Sequence, residues 1–506
     1  MTPASPVSPP RPGGGAPSAE SAPTVTTLPA RLPKVTLMRP WRGAAPSPET
    51  SPVAAAALQQ ACARWVSGMF VVMVLTQRFA TPGQPDLALL VPIAVVWVLW
   101  GLGRGVVELD RTRLKLWLAA TGAAAVLVPV QLRLVSDAHM SITSWGLFFA
   151  VWLPAVVRLK DRRRATFLMA LRQISYVAAA LAVGCLIFSA TQLTGVLPYH
   201  DYMADIFPRT LLLQDFVISY PVVYESALYR ANAWIGLEPS FVSMQLGIGL
   251  IGGFLSGTRL WVLVVIIGGL VAATAGSGLA IAAVAFAVML GYPVRNNLVR
   301  YLPLAVGGVI ALVVTPFGQS ILARLTEAGD QQSSTSLRGI LPYTYVWPYW
   351  TADPMNVIFG MGPSSSQTIV GESGILGLLT PSPVKIFVEY GVIVGAIIAV
   401  FLLFCYVGGP SRSLSVTLLV SLWMLQPGTT TILAVLPLFI TTTWWSPRVD
   451  PVLESDTETF AAARGWLDRA GRWRPMQKAG GWRIGRRRQS PSPSAAEPTS
   501  TSQGSR

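Results

Sequence analysis

Five cations of this chain stand apart by the segments they occupy. Arg209, Arg230, Arg324, Arg338 and Lys385 fall in or at the edge of two long segments, about 195–239 and 318–385, that interrupt a succession of apolar runs. A guanidinium presents a rigid fork of donors that suits phosphate. A cluster of them under low dielectric can hold a diphosphate and stabilise the charge that develops as it departs. Each also has a plainer reading as a solvated or headgroup-contacting loop residue. Eight positions after Arg230, Glu238 precedes Pro239 at the start of an apolar run. Proline suits the first turn of a helix, where its missing N–H costs nothing, and a carboxylate is favoured near the positive helix terminus. Capping accounts for Glu238. Equally, a carboxylate at the mouth of a cavity can orient or deprotonate an acceptor hydroxyl within hydrogen-bond reach. Both readings stand.

The second long segment carries the aromatic run Tyr343, Tyr345, Trp347, Tyr349 and Trp350, then Gly360 and Gly362. The aromatics are suited to stacking on sugar rings, and equally to a membrane interface. The two glycines give backbone freedom for a tight turn or for close approach to a ligand.

These residues must be positioned by helices in lipid. The chain has 506 residues, 52% hydrophobic and 12% charged, with mean hydropathy +0.52, against roughly 25% charged in soluble domains. Apolar runs follow near 61–80, 87–103, 114–132, 142–157, 170–194, 240–256, 259–275, 277–293, 300–317, 386–407, 414–427 and 429–445. Most approach the ~20 residues of a bilayer crossing. The expectation is an all-α polytopic membrane protein of about twelve helices. A Pro- and Ala-rich disordered tail at 1–57 precedes a membrane domain at 58–445, and a basic, largely disordered tail follows at 446–506. A short interfacial helix is expected within the first long segment, around Leu211–Leu213 and Phe216–Tyr220. Cys62, Cys185 and Cys405 have no CxxC spacing and read as packing residues. Arg172 and Arg259 read as helix-end residues.

The net charge of +15 reflects orientation rather than nucleic-acid binding. With the N-terminus in the cytoplasm, the clusters Arg104–Lys115 and Arg158–Arg164, then Arg295, Arg300, Arg412 and the C-terminal tail, all fall inside, as the bias of cytoplasmic loops toward Lys and Arg requires. Both long segments then face outward.

The stretch Tyr229-Arg230-Ala231-Asn232-Ala233-Trp234-Ile235-Gly236-Leu237-Glu238-Pro239-Ser240, opening an apolar span, resembles a motif of bacterial O-antigen polymerases. Thr274-Ala275-Gly276-Ser277-Gly278-Leu279 resembles the small-residue outward hairpin of the same superfamily. Ser336-Leu337-Arg338-Gly339, the aromatic run, Pro354, Phe359-Gly360-Met361-Gly362-Pro363 and Glu389-Tyr390-Gly391 with Gly395 resemble the large outward loop of O-antigen polymerases and ligases. The His of ligases is missing from the corresponding Pro381–Lys385 stretch, and the chain's only histidines, His139 and His200, lie elsewhere. The resemblance therefore favours polymerase over ligase.

The resemblance implies a GT-C-like, metal-independent glycosyltransferase in the bacterial plasma membrane. It would join oligosaccharide repeat units carried on undecaprenyl diphosphate at the outer face, with no cofactor, and would work beside a flippase and a chain-length regulator. Arg230, Glu238 and Arg338 would be catalytic, and Arg209, Arg324, Tyr343, Trp347, Gly360, Gly362 and Lys385 would bind substrate. Two rivals remain: a ligase that passes finished glycan to a lipid or protein, and a transporter. A transporter would favour broken helices and charged groups at mid-membrane.

Overall fold

The computed structural model describes residues 52–136, 138–214, 216, 218–222, 228–291, 314, 337, 340–375, 378–424 and 431–445. Of the described residues, 73% are helical. Among the described residues, five helices are long and apolar enough to cross a membrane: α1 (Pro52–Thr76), α3 (Arg111–Leu134), α5 (Arg164–Leu193), α7 (Pro239–Ser256) and α13 (Ser382–Val407). Between them lie shorter apolar helices: α2 (Leu90–Gly103), α4 (Ile142–Trp152), α8 (Leu260–Ala273) and α9 (Gly276–Leu290). After them come α14 (Arg412–Leu418) and α15 (Ile432–Leu438), each running on into a π-helical turn. Short helices fill the connections: α6 (Tyr202–Ile206), and α10 (Leu341–Thr351), α11 (Pro354–Phe359) and α12 (Ser365–Glu372).

Eleven of the twelve expected runs coincide with these helices, and the run at 300–317, apart from Val314, lies outside the described residues. Two starts differ from expectation. The first helix begins at Pro52, inside the stretch read as tail, because Val53–Ala57 is alanine-rich and alanine has the highest helix propensity. Helix α5 begins at Arg164, so Arg172 is not at a helix end; it sits eight residues inside and donates to the Ser256 carbonyl at 3.1 Å, satisfying the end of α7. The first long segment instead forms a short helix at Tyr202–Ile206 and a 3₁₀ turn at Arg209–Leu211, ahead of the place expected for a helix. Leu212 and Leu213 are buried instead, bridging to Phe79 and Arg78.

Small residues let the central helices approach closely. A Cβ on Gly278 would sit 1.9 Å from the Ser243 carbonyl, and one on Gly249 would sit 2.1 Å from the Ala178 Cβ. The Ser243 hydroxyl donates to the Ala275 carbonyl and accepts from Gly278 N–H, both at 3.0 Å, which locks the α8–α9 turn to α7. The three cysteines are free and buried, as expected of packing residues.

The connections gather into two groups. Strand β3 (Val107–Leu109) pairs antiparallel with β4 (Val157–Leu159), joining the two basic turns. Buried Arg113 donates to the carbonyls of Val157, Thr443 and Trp445, and Leu159 N–H donates to Trp444, so the end of the last helix is fastened there. In the other group, strands β1 (Ala80–Thr81) and β2 (Gln84–Ala88) lie against the Arg209–Leu211 turn, and His139 N–H donates to Met361 at 2.9 Å.

Helix α13 is broken at Gly391, whose φ of 64° and ψ of −176° are not helical. The break frees carbonyls that a helix would satisfy. Met361 N–H takes the Val388 carbonyl at 2.8 Å and Gly362 N–H the Glu389 carbonyl at 3.1 Å. From α3, the Gln131 amide reaches Glu389 at 2.7 Å and Phe359 at 2.6 Å. The fit requires glycine: a Cβ at Gly391 would sit 2.3 Å from the Ile358 carbonyl. Gly391→Ala should therefore cost at least about 2 kcal/mol, read as a fall in thermal midpoint together with faster proteolysis within 341–372. Gly371→Ala, with open space around it in α12, should leave both unchanged.

Candidate functional site

The loop from Tyr229 to Glu238 is pinned at nearly every residue. Gln192, at the end of α5, accepts from Tyr229 N–H at 2.9 Å and donates to the Tyr229 carbonyl at 3.3 Å. Arg230 N–H donates to Tyr220, Ala231 N–H to Ala272 of α8, and the Asn232 amide to Ile218. Ala233 and Trp234 then turn in consecutive left-handed conformations, φ 55° and 59°. Each costs about 1–2 kcal/mol outside glycine. The Asn232 side chain, accepting from Trp234 N–H at 3.0 Å, and the edge-on contact of Trp234 with Phe188 offset that strain. At Gly236 a Cβ would meet Val242 at 2.3 Å and the Asn232 carbonyl at 2.6 Å, so the chain can enter α7 only through glycine.

Two of the expected chemical residues ride on this loop. The Arg230 guanidinium lies 5.4 Å from the Tyr220 ring centre and donates through Nε to the Pro221 carbonyl at 3.2 Å, which fixes its direction. Glu238 occupies the N-cap position of α7, yet its side chain makes no capping bond; the carboxylate accepts from the Ser240 hydroxyl at 2.8 Å. Glu238 thus stands at the positive terminus of α7, where the capping reading puts it, but without a side-chain bond to the helix N–H groups.

A clasp stands beside the loop. Arg78, nearly fully buried, forms a two-pronged pair with Asp201 at 2.5 and 2.7 Å. The Tyr199 ring, two residues before Asp201, lies 4.5 Å from that of Tyr229 and so carries the clasp to the loop. Burial alone would raise the Asp201 pKa, but the Arg78 guanidinium outweighs it and holds the carboxyl below the usual carboxylate range. Burial, with Asp201 nearby, raises the Tyr199 hydroxyl.

The remaining candidates divide. Arg324 and Arg338 lie outside the described residues. Arg209 is exposed on its 3₁₀ turn. Tyr343 and Trp347 sit on the side of α10 that packs with Val384, Val388 and Phe387 of α13, and burial raises the Tyr343 hydroxyl. On the same helix Tyr345 and Tyr349 are 41% and 53% exposed, so they are the aromatics free to meet a sugar or a headgroup. Gly360 and Gly362 do serve close approach, but to backbone: a Cβ on the first would meet Gly391 N at 2.4 Å and on the second the His139 carbonyl at 2.0 Å. Lys385 is buried and donates to Glu389 at 2.6 Å, and Ser366 of α12 donates to the same carboxylate oxygen at 2.6 Å. Its charge is thus met within the protein. Glu389, read in the sequence only as part of a motif, and Ser366 and Gln131, not read at all, are polar groups given no site role there; the Lys385–Glu389 spacing of four was a readable signal, whereas Ser366 and Gln131 left none.

Gln192→Ala should leave the Tyr229 backbone unpaired and loosen Arg230, lowering any activity of the loop more than overall stability, as comparison of turnover with thermal midpoint checks. Asp201→Asn should cost about 2–3 kcal/mol, because it leaves a buried guanidinium without its counter-charge. With its pKa lowered in the fold, Asp201 contributes stability that is present above the unfolded carboxylate pKa of about 3.9 and lost as pH falls through the folded value. Thermal midpoints should therefore converge for wild type and Asp201→Asn only at strongly acid pH. Set against known proteins, the chain matches no family model and no curated sequence, so the family resemblance rests on the motifs themselves.

Proposed function

We propose that the chain is a polymerase of lipid-linked oligosaccharides: a GT-C-like protein of about twelve spans in the bacterial plasma membrane, with both termini in the cytoplasm and the Tyr229–Glu238 loop at the outer face. The growing glycan on undecaprenyl diphosphate is the donor, and a sugar hydroxyl of a newly arrived repeat unit is the acceptor. The hydroxyl oxygen bonds to the donor's anomeric carbon as the bond from that carbon to the diphosphate oxygen breaks. Undecaprenyl diphosphate leaves with the electron pair, and the hydroxyl proton passes to Glu238. Arg230, with Arg324 and Arg338, stabilises the departing diphosphate, while Arg209 and the exposed aromatics meet substrate at the rim. No cofactor is required, and a flippase and a chain-length regulator are the natural partners.

One observation carries this reading. A guanidinium and a half-buried carboxylate that makes no side-chain capping bond stand eight residues apart on a strained loop held from several sides. Strain held in place by surrounding structure is characteristic of functional sites.

The broken helix α13 and its buried Lys385–Glu389 pair favour the transporter as a second reading. Against it, the pair lies in the first turns of α13, and the carbonyls freed at the break are taken by Met361, Gly362 and Gln131. Movement of lipid-linked substrate without glycan growth would decide for the transporter. Glycan appearing in finished lengths on another lipid or protein would decide for a ligase.

In cells at matched membrane abundance, Glu238→Gln should slow glycan extension by about 10²- to 10⁴-fold, and Arg230→Ala or Arg338→Ala should collapse the ladder of lipid-linked lengths to single repeat units. A folded Glu238→Gln protein with full turnover removes the carboxylate from the mechanism.

A further inference from the structure

Helix α2 carries a feature that hydrophobicity alone does not require. Leu89, Pro92, Ile93, Val96, Trp97 and Trp100 line an apolar groove of about 400 Å³. From Leu89 to Trp100 it follows the helix for about 16 Å, roughly one leaflet of a ~30 Å hydrocarbon core. Its far end opens at the basic turns. There the exposed Arg104 guanidinium lies 5.7 Å from the ring centre of Trp100, one of the groove's own walls. Next comes the left-handed turn at Gly105, and the ammonium of exposed Lys160 stands 3.3 Å from where a Cβ of that glycine would be. Lys160 is held there by its N–H bond to the Val106 carbonyl at 3.0 Å.

Among the described residues neither cation is neutralised. Glu108 is engaged by Arg158 and Arg162, Asp161 by Arg163 and Thr166, and Asp110 by the N–H groups of Thr112 and Arg113 and, at 3.9 Å, by the Arg113 and Arg158 side chains. Every carboxylate at these turns has a partner, yet two positive charges, one on either side of Gly105, are left at the mouth of a leaflet-deep apolar slot. A zwitterionic lipid would fill the slot and offer its phosphate, but would bring no net negative charge to the two cations.

We propose that this groove binds one anionic phospholipid, its acyl chain along α2 and its phosphate between Arg104 and Lys160. The site is independent of the glycan chemistry. Cations at the membrane surface attract anionic headgroups, and a Trp at that level anchors the boundary.

Full-length protein purified in mild detergent, supplied with equal phosphatidylglycerol and phosphatidylcholine, tests this by native mass spectrometry of the retained lipid. Wild type should retain one phosphatidylglycerol with a preference of about tenfold or more. The double variant Arg104→Gln, Lys160→Gln should lose the preference; both side chains are exposed, so folding is not at stake. Val96→Trp, which fills the groove and leaves the charges, should lose the lipid. No preference in wild type, or a preference surviving the double variant, overturns the site. Displacement of the lipid by inorganic phosphate alone also overturns it, as does a wild-type dimer that Val96→Trp converts to monomer, since that outcome gives the groove to a second copy.

Discussion

A helix within a bilayer can be interrupted only where its freed backbone groups find partners inside the protein, and the interruption of α13 at Gly391 organises the elements around it. Three distant pieces of chain meet there. The Gly360–Gly362 segment supplies N–H groups, Gln131 of α3 supplies an amide, and His139 binds the far side of the same segment. The Lys385–Glu389 pair, with Ser366, sits just before the break and ties α12 to α13. A buried ion pair adds little net stability over an apolar core, but breaking one costs about 3–5 kcal/mol. The arrangement therefore specifies where α10 to α12 dock more than it strengthens the fold.

The same logic separates the charges of the molecule. Where a charge is buried, its partner is built in: Arg78 with Asp201, Lys385 with Glu389, and Arg113 with three carbonyls at the end of the last helix. Arg209, Arg104 and Lys160 are instead exposed. Chemistry toward a ligand is expected from such exposed groups and from the half-buried Arg230 and Glu238, since a fully paired buried charge would first have to be released.

Much of the helical body was legible because lipid solvation writes itself as long apolar runs, and α2, α3, α7, α8 and α9 fall within a few residues of the runs that announced them. The beginning of α1 was not, because Gln59 and Gln60 part the apolar stretch Val53–Leu58 from the run that follows and leave it looking like the end of the Pro- and Ala-rich tail. The break in α13 was hidden inside the run 386–407, where the apolar pattern continues through Glu389 and Gly391. The glycines of Gly360-Met361-Gly362 were readable as sites of close approach, but the approaching group, a backbone, was not. Arg78 and Asp201 are 123 residues apart, and no local pattern joins them. Lys385 looked like the outward arginines until its partner one turn later was in place. For Arg230 and Glu238 the spacing and the helix start were legible, while the strain at Ala233 and Trp234 was not, because neither residue type favours a left-handed turn.

A polymerase working at the outer face requires the Tyr229–Glu238 end of the molecule to face away from the cytoplasm. Cys62, Cys185 and Cys405 are buried, so new cysteines at exposed Thr210 and Lys160 can be labelled against a low background. In spheroplasts, a membrane-impermeant maleimide should modify Thr210→Cys at once and Lys160→Cys only after the membrane is opened. The opposite pattern would place the loop in the cytoplasm and contradict polymerisation at the outer face.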